Sequence, residues 1–185
     1  MKIILLNGPP RSGKDYAGAI LQRHPCRDQV VKFAEELKVR THALYQLDRR
    51  ADWFEDCKDE PRDEFLGLTP RQAYIGVSEL LIKPQHGAAQ FGHWLADSIE
   101  RQHSMVDTVI VTDSGFRSEA EVLVERFGAA NCLLARIHRT GYTFSSDSRS
   151  YIDLSDLGVQ CLDLQNDGGP GFRTLLGALP LSSRV

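Results

Sequence analysis

Cysteine is scarce in this 185-residue chain. The four present, Cys26, Cys57, Cys132 and Cys161, form no CxxC pair and no His-paired spacing, so they read as ordinary reduced thiols of a cytosolic protein. Positive charge is not in excess either: 22 Lys and Arg against 25 Asp and Glu leave a formal charge of −3. A strongly basic nucleic-acid binder is therefore not indicated, although a local basic patch stays open. No apolar run approaches the roughly 20 residues of a membrane span. The apolar part of "MKIILLNGPP" is too short for a signal peptide and runs straight into a glycine loop. Internal repeats and low-complexity tracts are missing as well. With 42% hydrophobic residues, these absences bound the reading to one globular domain, residues 1–185, with a full core and an expected cytoplasmic location.

What is present is an alternation of strand and helix signals. Ile3–Leu6 is a continuous apolar run of the kind a parallel strand buried on both faces requires. Further strands are expected at 30–34, 108–113, 132–139 and 159–166. Helices are expected at 15–23, 35–47, 70–83, 88–103, 118–128 and 171–179. Thr69 and Pro70 supply an N-cap followed by proline at the first helical position, and Pro84 is expected to stop that helix. The charge-rich stretch 48–68 is broken by Pro61 and Gly67 and is expected to be a mobile loop or short helices. Together these predict an α/β fold: a parallel sheet with right-handed crossovers, flanked by helices, with a helical region at 48–104 and a small lid at 140–153. Ligands in such sheets bind beyond the carboxyl ends of the strands. That rule places Gly8–Asp15, Asp113, Arg139 and the loop after Gln165 on one rim.

The stretch "GPPRSGK" satisfies G-x-x-x-x-G-K, with Gly8, Gly13 and Lys14, between a strand and a helix. Loop N–H groups, the helix N-terminus and the lysine ammonium suit a bound polyphosphate. The loop residues Gly8, Pro9, Pro10, Arg11, Ser12, Gly13, Lys14 and Asp15 are thus candidates for ATP binding. Asp15 stands where Ser or Thr usually binds Mg²⁺; a carboxylate is a hard-oxygen ligand, and a negative charge also suits a helix N-terminus. Asp113 ends an apolar strand and is read as a second Mg²⁺ ligand, or as a turn aspartate before Ser114-Gly115. Arg139 and Arg149 are candidates to offset charge during phosphoryl transfer, or are members of a solvated basic loop. His138 reads as structural. Phe91 and Trp94 read as core-facing. Asn166, in a turn after the last strand, is a candidate adenine contact.

The blocks "GPPRSGKD", "FAEELK", "LTPRQ", "IVTDSGFRSEAE" and "LQNDG" resemble the deoxynucleoside monophosphate kinases of bacteriophages. The first block is specific and the others are suggestive; animal phosphomevalonate kinase shares the GKD variant. The resemblance implies a P-loop kinase fold, Mg-ATP as donor and Lys14 as the transfer lysine. It departs at "DSGF", where Gly115 stands in place of an arginine of the family pattern, with Arg117 nearby, and at "SSDSRSY" in the lid. The donor side is kept and the acceptor side is changed. A phage relative phosphorylates the hydroxymethyl group of 5-hydroxymethyluracil in DNA, a step of thymine hypermodification. An alcohol needs no phosphate clamp, and a DNA acceptor needs a basic lip, for which Lys32, Arg40, Arg49, Arg50, Arg71 and Lys83 are candidates. The first expectation is therefore that DNA kinase, with Arg71, Lys83 and Arg117 as acceptor-side residues. A kinase of free deoxynucleotides is the second, and a P-loop ATPase or switch the third. The third asks for a catalytic glutamate, and Glu119 and Glu121 are the nearby candidates, in a helical placement that fits poorly.

Overall fold

The computed structural model describes residues 1–24, 26–103, 105–145 and 147–179. Five strands form one parallel sheet: β1 (Lys2–Asn7), β2 (Asp28–Val31), β3 (Thr108–Val111), β4 (Cys132–His138) and β5 (Gln160–Gln165), in the order β2-β3-β1-β4-β5. The register pairs Ile3 with Val109 on one side and with Cys132 on the other. Among the described residues seven α-helices accompany the sheet: α1 (Lys14–Leu21), α2 (Ala34–Leu44), α3 (Pro70–Val77), α4 (Lys83–His86), α5 (Gln90–Gln102), α6 (Arg117–Phe127) and α7 (Pro170–Gly177).

The apolar run of β1 is continuous because both faces are covered, and its period of two sorts it between two cores. Ile3 and Leu5 join Leu95, Ile99 and Leu123 from α5 and α6. Ile4 and Leu6 join Ala17, Leu21, Phe172 and Leu176 from α1 and α7. The strand ends carrying Asn7, Val31 and His138 therefore share one edge, above which the P-loop and the lid lie.

Two expectations needed correction. The strand expected at 30–34 ends at Val31, and Phe33 begins the turn into α2. The helix from Thr69 does not stop before Pro84. It passes through a π-helical turn, Ser78–Ile82, into α4, and ends at Gly87. The Lys83 N–H reaches back five residues to the Ser78 carbonyl. That widened ladder ahead of Pro84 accommodates a residue with no N–H and a ring that would crowd a regular α-turn. At the start of α3 the capping box forms as read: Thr69 Oγ1 accepts from the Gln72 N–H (3.1 Å), and Gln72 Oε1 accepts from the Thr69 N–H (2.9 Å).

Segment 48–68 takes the short-helix alternative, with 3₁₀ turns at Ala51–Phe54 and Asp63–Phe65. Phe54 and Phe65 are buried with Ala73 in a third apolar cluster. His42 ties the cluster together, its ring nitrogens 2.9 Å from the Arg49 carbonyl oxygen and 2.9 Å from Tyr74 Oη. Phe65→Ala should lower stability by about 3–5 kcal/mol, read as a drop in the urea midpoint. An unchanged midpoint would show that this cluster does not hold the segment.

Candidate active site

The loop between β1 and α1 has the backbone its sequence demands. Gly13 has φ +102°, and a Cβ there would lie 2.5 Å from Asn166 Nδ2, so glycine is required on both counts. Arg11 also sits at positive φ. The Lys14 side chain is buried and folds back over the loop, donating to the carbonyls of Gly8 (2.6 Å) and Pro9 (2.7 Å). Burial, and secondarily the charge of Arg149, lowers its pKa to about 8. An anionic phosphate would favour the charged form. The buried Ser12 hydroxyl has no hydrogen-bond partner among the described residues. A spare buried donor in a loop capped by a helix N-terminus fits a polyphosphate group.

Asn166 buttresses this loop. Its Nδ2 donates to the Ser12 carbonyl (2.7 Å), and its Oδ1 accepts from the Gly168 N–H (2.9 Å). These bonds make Asn166 a positioning residue of the loop. Arg139 donates from Nη1 to the Arg11 carbonyl (3.0 Å), which puts it at the loop's outer flank.

Asp15 is exposed and pairs with Lys32 (3.0 Å). Asp113 receives the N–H groups of Phe33 (2.8 Å) and Ala34 (3.0 Å), capping α2 from across the sheet edge. Burial raises the Asp113 pKa against the pull of those bonds, Lys32 and Arg149. Burial opposes charge on Lys32 as well, but the Asp15 bond and the charges of Asp15 and Asp113 raise its pKa on balance. The ammonium therefore feels both acids read as Mg²⁺ ligands. Among the described residues no group of three or more His, Cys, Asp or Glu converges. Two carboxylates completed by phosphate oxygens suit Mg²⁺, which rarely uses an all-protein cage.

The lid segment is docked. Asn7, fully buried at the end of β1, donates from Nδ2 to the carbonyls of Ser114 (2.7 Å) and Ser150 (2.9 Å), and its Oδ1 accepts from the Ile152 N–H (3.1 Å). This latch lays Arg149 across Gly115. A Cβ on Gly115 would meet Arg149 Cδ at 2.3 Å. The residue that departs from the family pattern is thus the opening through which the lid arginine reaches the site. Asp147 holds the guanidinium through Nε (2.8 Å) and Nη2.

Beside the loop lies a cavity of about 360 Å³, with Asp113, Asp147 and Arg149 in its wall. Phe33, Tyr74, Phe91 and Phe116 bring rings to it. Arg71 and Lys83 line it as expected, but both are engaged: Arg71 with Asp59 (2.6 Å) and Lys83 with Glu79 (2.6 Å). Lys38 and Lys58 in the same wall share Glu55 and hold its carboxyl down at about 2 despite partial burial. Arg117 is not brought to the cavity; it bonds Glu121, the Asp153 carbonyl and Asp156. Arg136 and His138 both bind Asp163, and His138 stacks on Tyr151, a structural placement.

Sequence reasoning passed over Asn7, whose signal was a buried-strand asparagine directly before the glycine loop. It also set Glu119 aside on its helical placement. Glu119 is buried and lines the cavity, and burial, then the charge of Asp113, pushes its pKa to about 8.

No protein-family profile matches the chain, and no curated protein matches it. Solved structures do. A sugar kinase from Janibacter sp. HTCC2649 aligns over 98% of this chain and 96% of its own, with TM-score 0.54 and 12% identity. A shikimate kinase from Aquifex aeolicus vf5 aligns over 96% and 95%, with TM-score 0.46 and 17% identity. The first likeness shows the fold alone: an α/β fold with a parallel sheet flanked by helices. Among the described residues no helix is long and apolar enough to cross a membrane.

Glu119 gives a pH test of this geometry. Its carboxyl titrates near 4.5 when unperturbed and at about 8 in the fold. Between those values the folded chain holds a proton that the unfolded chain has lost, so stability falls as pH rises from about 4.5 to 8. Glu119→Gln removes that slope. Its melting temperature should exceed the native one by several degrees at pH 8, and the gap should close toward pH 5. A gap independent of pH would mean that Glu119 is not buried in its neutral form.

Proposed function

We propose that this chain is an ATP-dependent phosphotransferase with a hydroxyl acceptor, and that the acceptor is the hydroxymethyl group of 5-hydroxymethyluracil in DNA. The observation that carries the reading is the electrostatic coupling of loop and cavity. Arg149, Asp147 and Asp113 line the cavity, and all three act electrostatically on Lys14. A donor phosphate on the loop and an acceptor in the cavity would meet at Lys14 and Arg149. Transfer would then form a bond from the acceptor oxygen to the γ-phosphorus, break the bond to the bridging oxygen of ADP and release the hydroxyl proton. Lys14, Arg149 and Arg139 would offset the charge spread over the transferred group. Asp15 and Asp113 would hold Mg²⁺, which, when bound, neutralises charge on the phosphates.

The acceptor side supports an alcohol. Lys38, Lys58, Arg71, Lys83 and Arg149 each have a carboxylate partner, so among the described residues lining the cavity no uncommitted cation waits for a phosphate dianion. The cavity lies at the small end of ligand pockets, which span roughly 300–1,000 Å³. It suits one ring-sized group, so a base within DNA would enter it unstacked. A sugar kinase shares the fold, and a sugar presents hydroxyl groups. The basic lip is less supportive. Lys32, Arg40, Arg50, Arg71 and Lys83 are paired with acids, and Arg49 lies over Trp53 at 4.2 Å. A DNA strand would have to exchange those partners for its phosphates.

A second reading, a kinase of free deoxynucleoside monophosphates, is favoured by Arg71. Its guanidinium grips Asp59 through Nε (2.6 Å) and Nη2 (3.3 Å), the two-pronged geometry with which arginine also holds phosphate. The two readings part in one assay with labelled ATP and Mg²⁺. Label is expected on hydroxymethyluracil-containing DNA and not on free deoxynucleotides; the reverse would establish the second reading. Phosphate release that needs no acceptor would establish an ATPase. Lys14→Ala should lower transfer by about a hundredfold or more, and full retained activity would refute the site.

A further inference from the structure

Glu119 carries a feature that donor binding leaves unused. The side chain is 4% exposed and sits in the cavity wall. The charges that act on it come from three elements: Asp113 after β3, Lys83 at the start of α4 and Arg149 in the lid. Each has partners elsewhere. Asp113 receives the Phe33 and Ala34 N–H groups, Lys83 binds Glu79 and lies over the Phe116 ring, and Arg149 binds Asp147. Among the described residues, no hydrogen bond or ion pair engages the Glu119 carboxyl. A polar group this buried costs free energy unless something pairs with it, and what it faces is the cavity.

We propose that Glu119 sets acceptor specificity by pairing its carboxyl, through two parallel hydrogen bonds, with a carbonyl beside an N–H on the acceptor. This rests on the reading that the cavity holds the acceptor, and it names the chemical edge selected there. A carboxylic acid offers one O–H donor and one carbonyl acceptor side by side. The complementary edge is a cis-amide, with C=O next to N–H, as on the imide edge of a uracil. The raised pKa agrees, since the acid form prevails at pH 7. A cytosine edge presents an amino donor beside a bare ring nitrogen. It matches the acid only with donor and acceptor exchanged, which requires the O–H to face the other neighbour. The unlike charges of Asp113, Lys83 and Arg149 acting on the carboxyl make the two orientations of the acid unequal. A site built on a buried hydrogen-bonding group rejects ligands that leave it unpaired far more strongly than an apolar site rejects a change of shape.

The test compares native protein, Glu119→Gln and Glu119→Leu at pH 7. Binding of 2′-deoxyuridine and of 2′-deoxycytidine is read by saturation-transfer NMR, which needs no phosphoryl transfer. Transfer to matched DNA strands carrying 5-hydroxymethyluracil or 5-hydroxymethylcytosine is read alongside. The native protein should favour the uracil edge about tenfold or more. Glu119→Gln, whose carboxamide offers the same donor and acceptor, should keep uracil binding within about threefold. Glu119→Leu should lose uracil binding about tenfold while ATP binding is unchanged. Native-level uracil binding by Glu119→Leu, or no uracil preference in the native protein, would overturn the inference. Glu119-dependent uracil binding without transfer to either DNA would uphold it and instead remove the DNA acceptor from the proposed function.

Discussion

The side chain of Asn7 is the constraint on which the rest of the site depends. It is fully buried at the end of the central strand, and its amide makes three hydrogen bonds, to the Ser114 and Ser150 carbonyls and the Ile152 N–H. Those bonds join the strand that launches the P-loop, the turn after β3 and the lid. An amide is suited to this because it donates twice and accepts at one atom. A leucine of similar volume would leave two carbonyls and an N–H without partners in a dry environment, the costly side of the hydrogen-bond asymmetry. With the latch in place, Arg149 lies over Gly115 and acts on Lys14 across the loop. Without it, the arginine would be one more charge on a surface segment.

The electrostatics around that latch form one coupled system. Lys14 is depressed by burial and by Arg149, Asp113 is raised by burial, and Glu119 is raised by burial and by Asp113. Each shift has the sign expected of charged groups crowded at a dry strand edge. A polyphosphate on the loop would add the negative charge that Lys14 and Arg149 lack, while Glu119 in its acid form adds none. The apolar side of the balance is equally local. Phe54, Phe65 and Ala73 form a small core of their own, which fixes the segment carrying Lys58 and Asp59 against the mouth of the cavity.

Much of this was legible in the sequence because it is local. The apolar runs of β1 and β3 announce buried parallel strands, the G-x-x-x-x-G-K spacing announces the loop, and Thr69 to Gln72 announces the capping box. The strand-end rule then placed Asp113 and Arg139 on the P-loop rim. What was not legible is non-local. The Asn7 bonds span 107, 143 and 145 residues, and no periodicity reports them. Pro84 was read as a stop because the π turn that admits it is a feature of the ladder, not of composition. Arg117 was read as acceptor-facing from its position in the chain, but Glu121 and Asp156 supply closer partners on its own side of α6. Glu119 was discounted for its helical placement; the first turn of α6 begins at the cavity itself, so its third residue turns inward.

The relation between Gly115 and Arg149 changes what the departure from the phage kinase pattern means. Read along the chain, Gly115 is an arginine lost from the acceptor side. In space, the volume of a side chain at 115 is taken by the stem of Arg149, whose Cδ lies 2.3 Å from where a Cβ would stand. A side chain at 115 would force the stem of Arg149 to shift, so the glycine and this placement of Arg149 go together. The charge at the site is therefore relocated from the strand-end turn to the lid. A cation on a rigid turn is present whether or not a substrate is bound. A cation held by the lid is present only while the Asn7 latch and the Asp147 pair hold, so its presence at the P-loop is tied to lid docking. On the proposed function, that arrangement would link the charge that stabilises a transferred phosphoryl group to docking of the segment that carries Arg149, which would suit a kinase that must keep water from taking the acceptor's place.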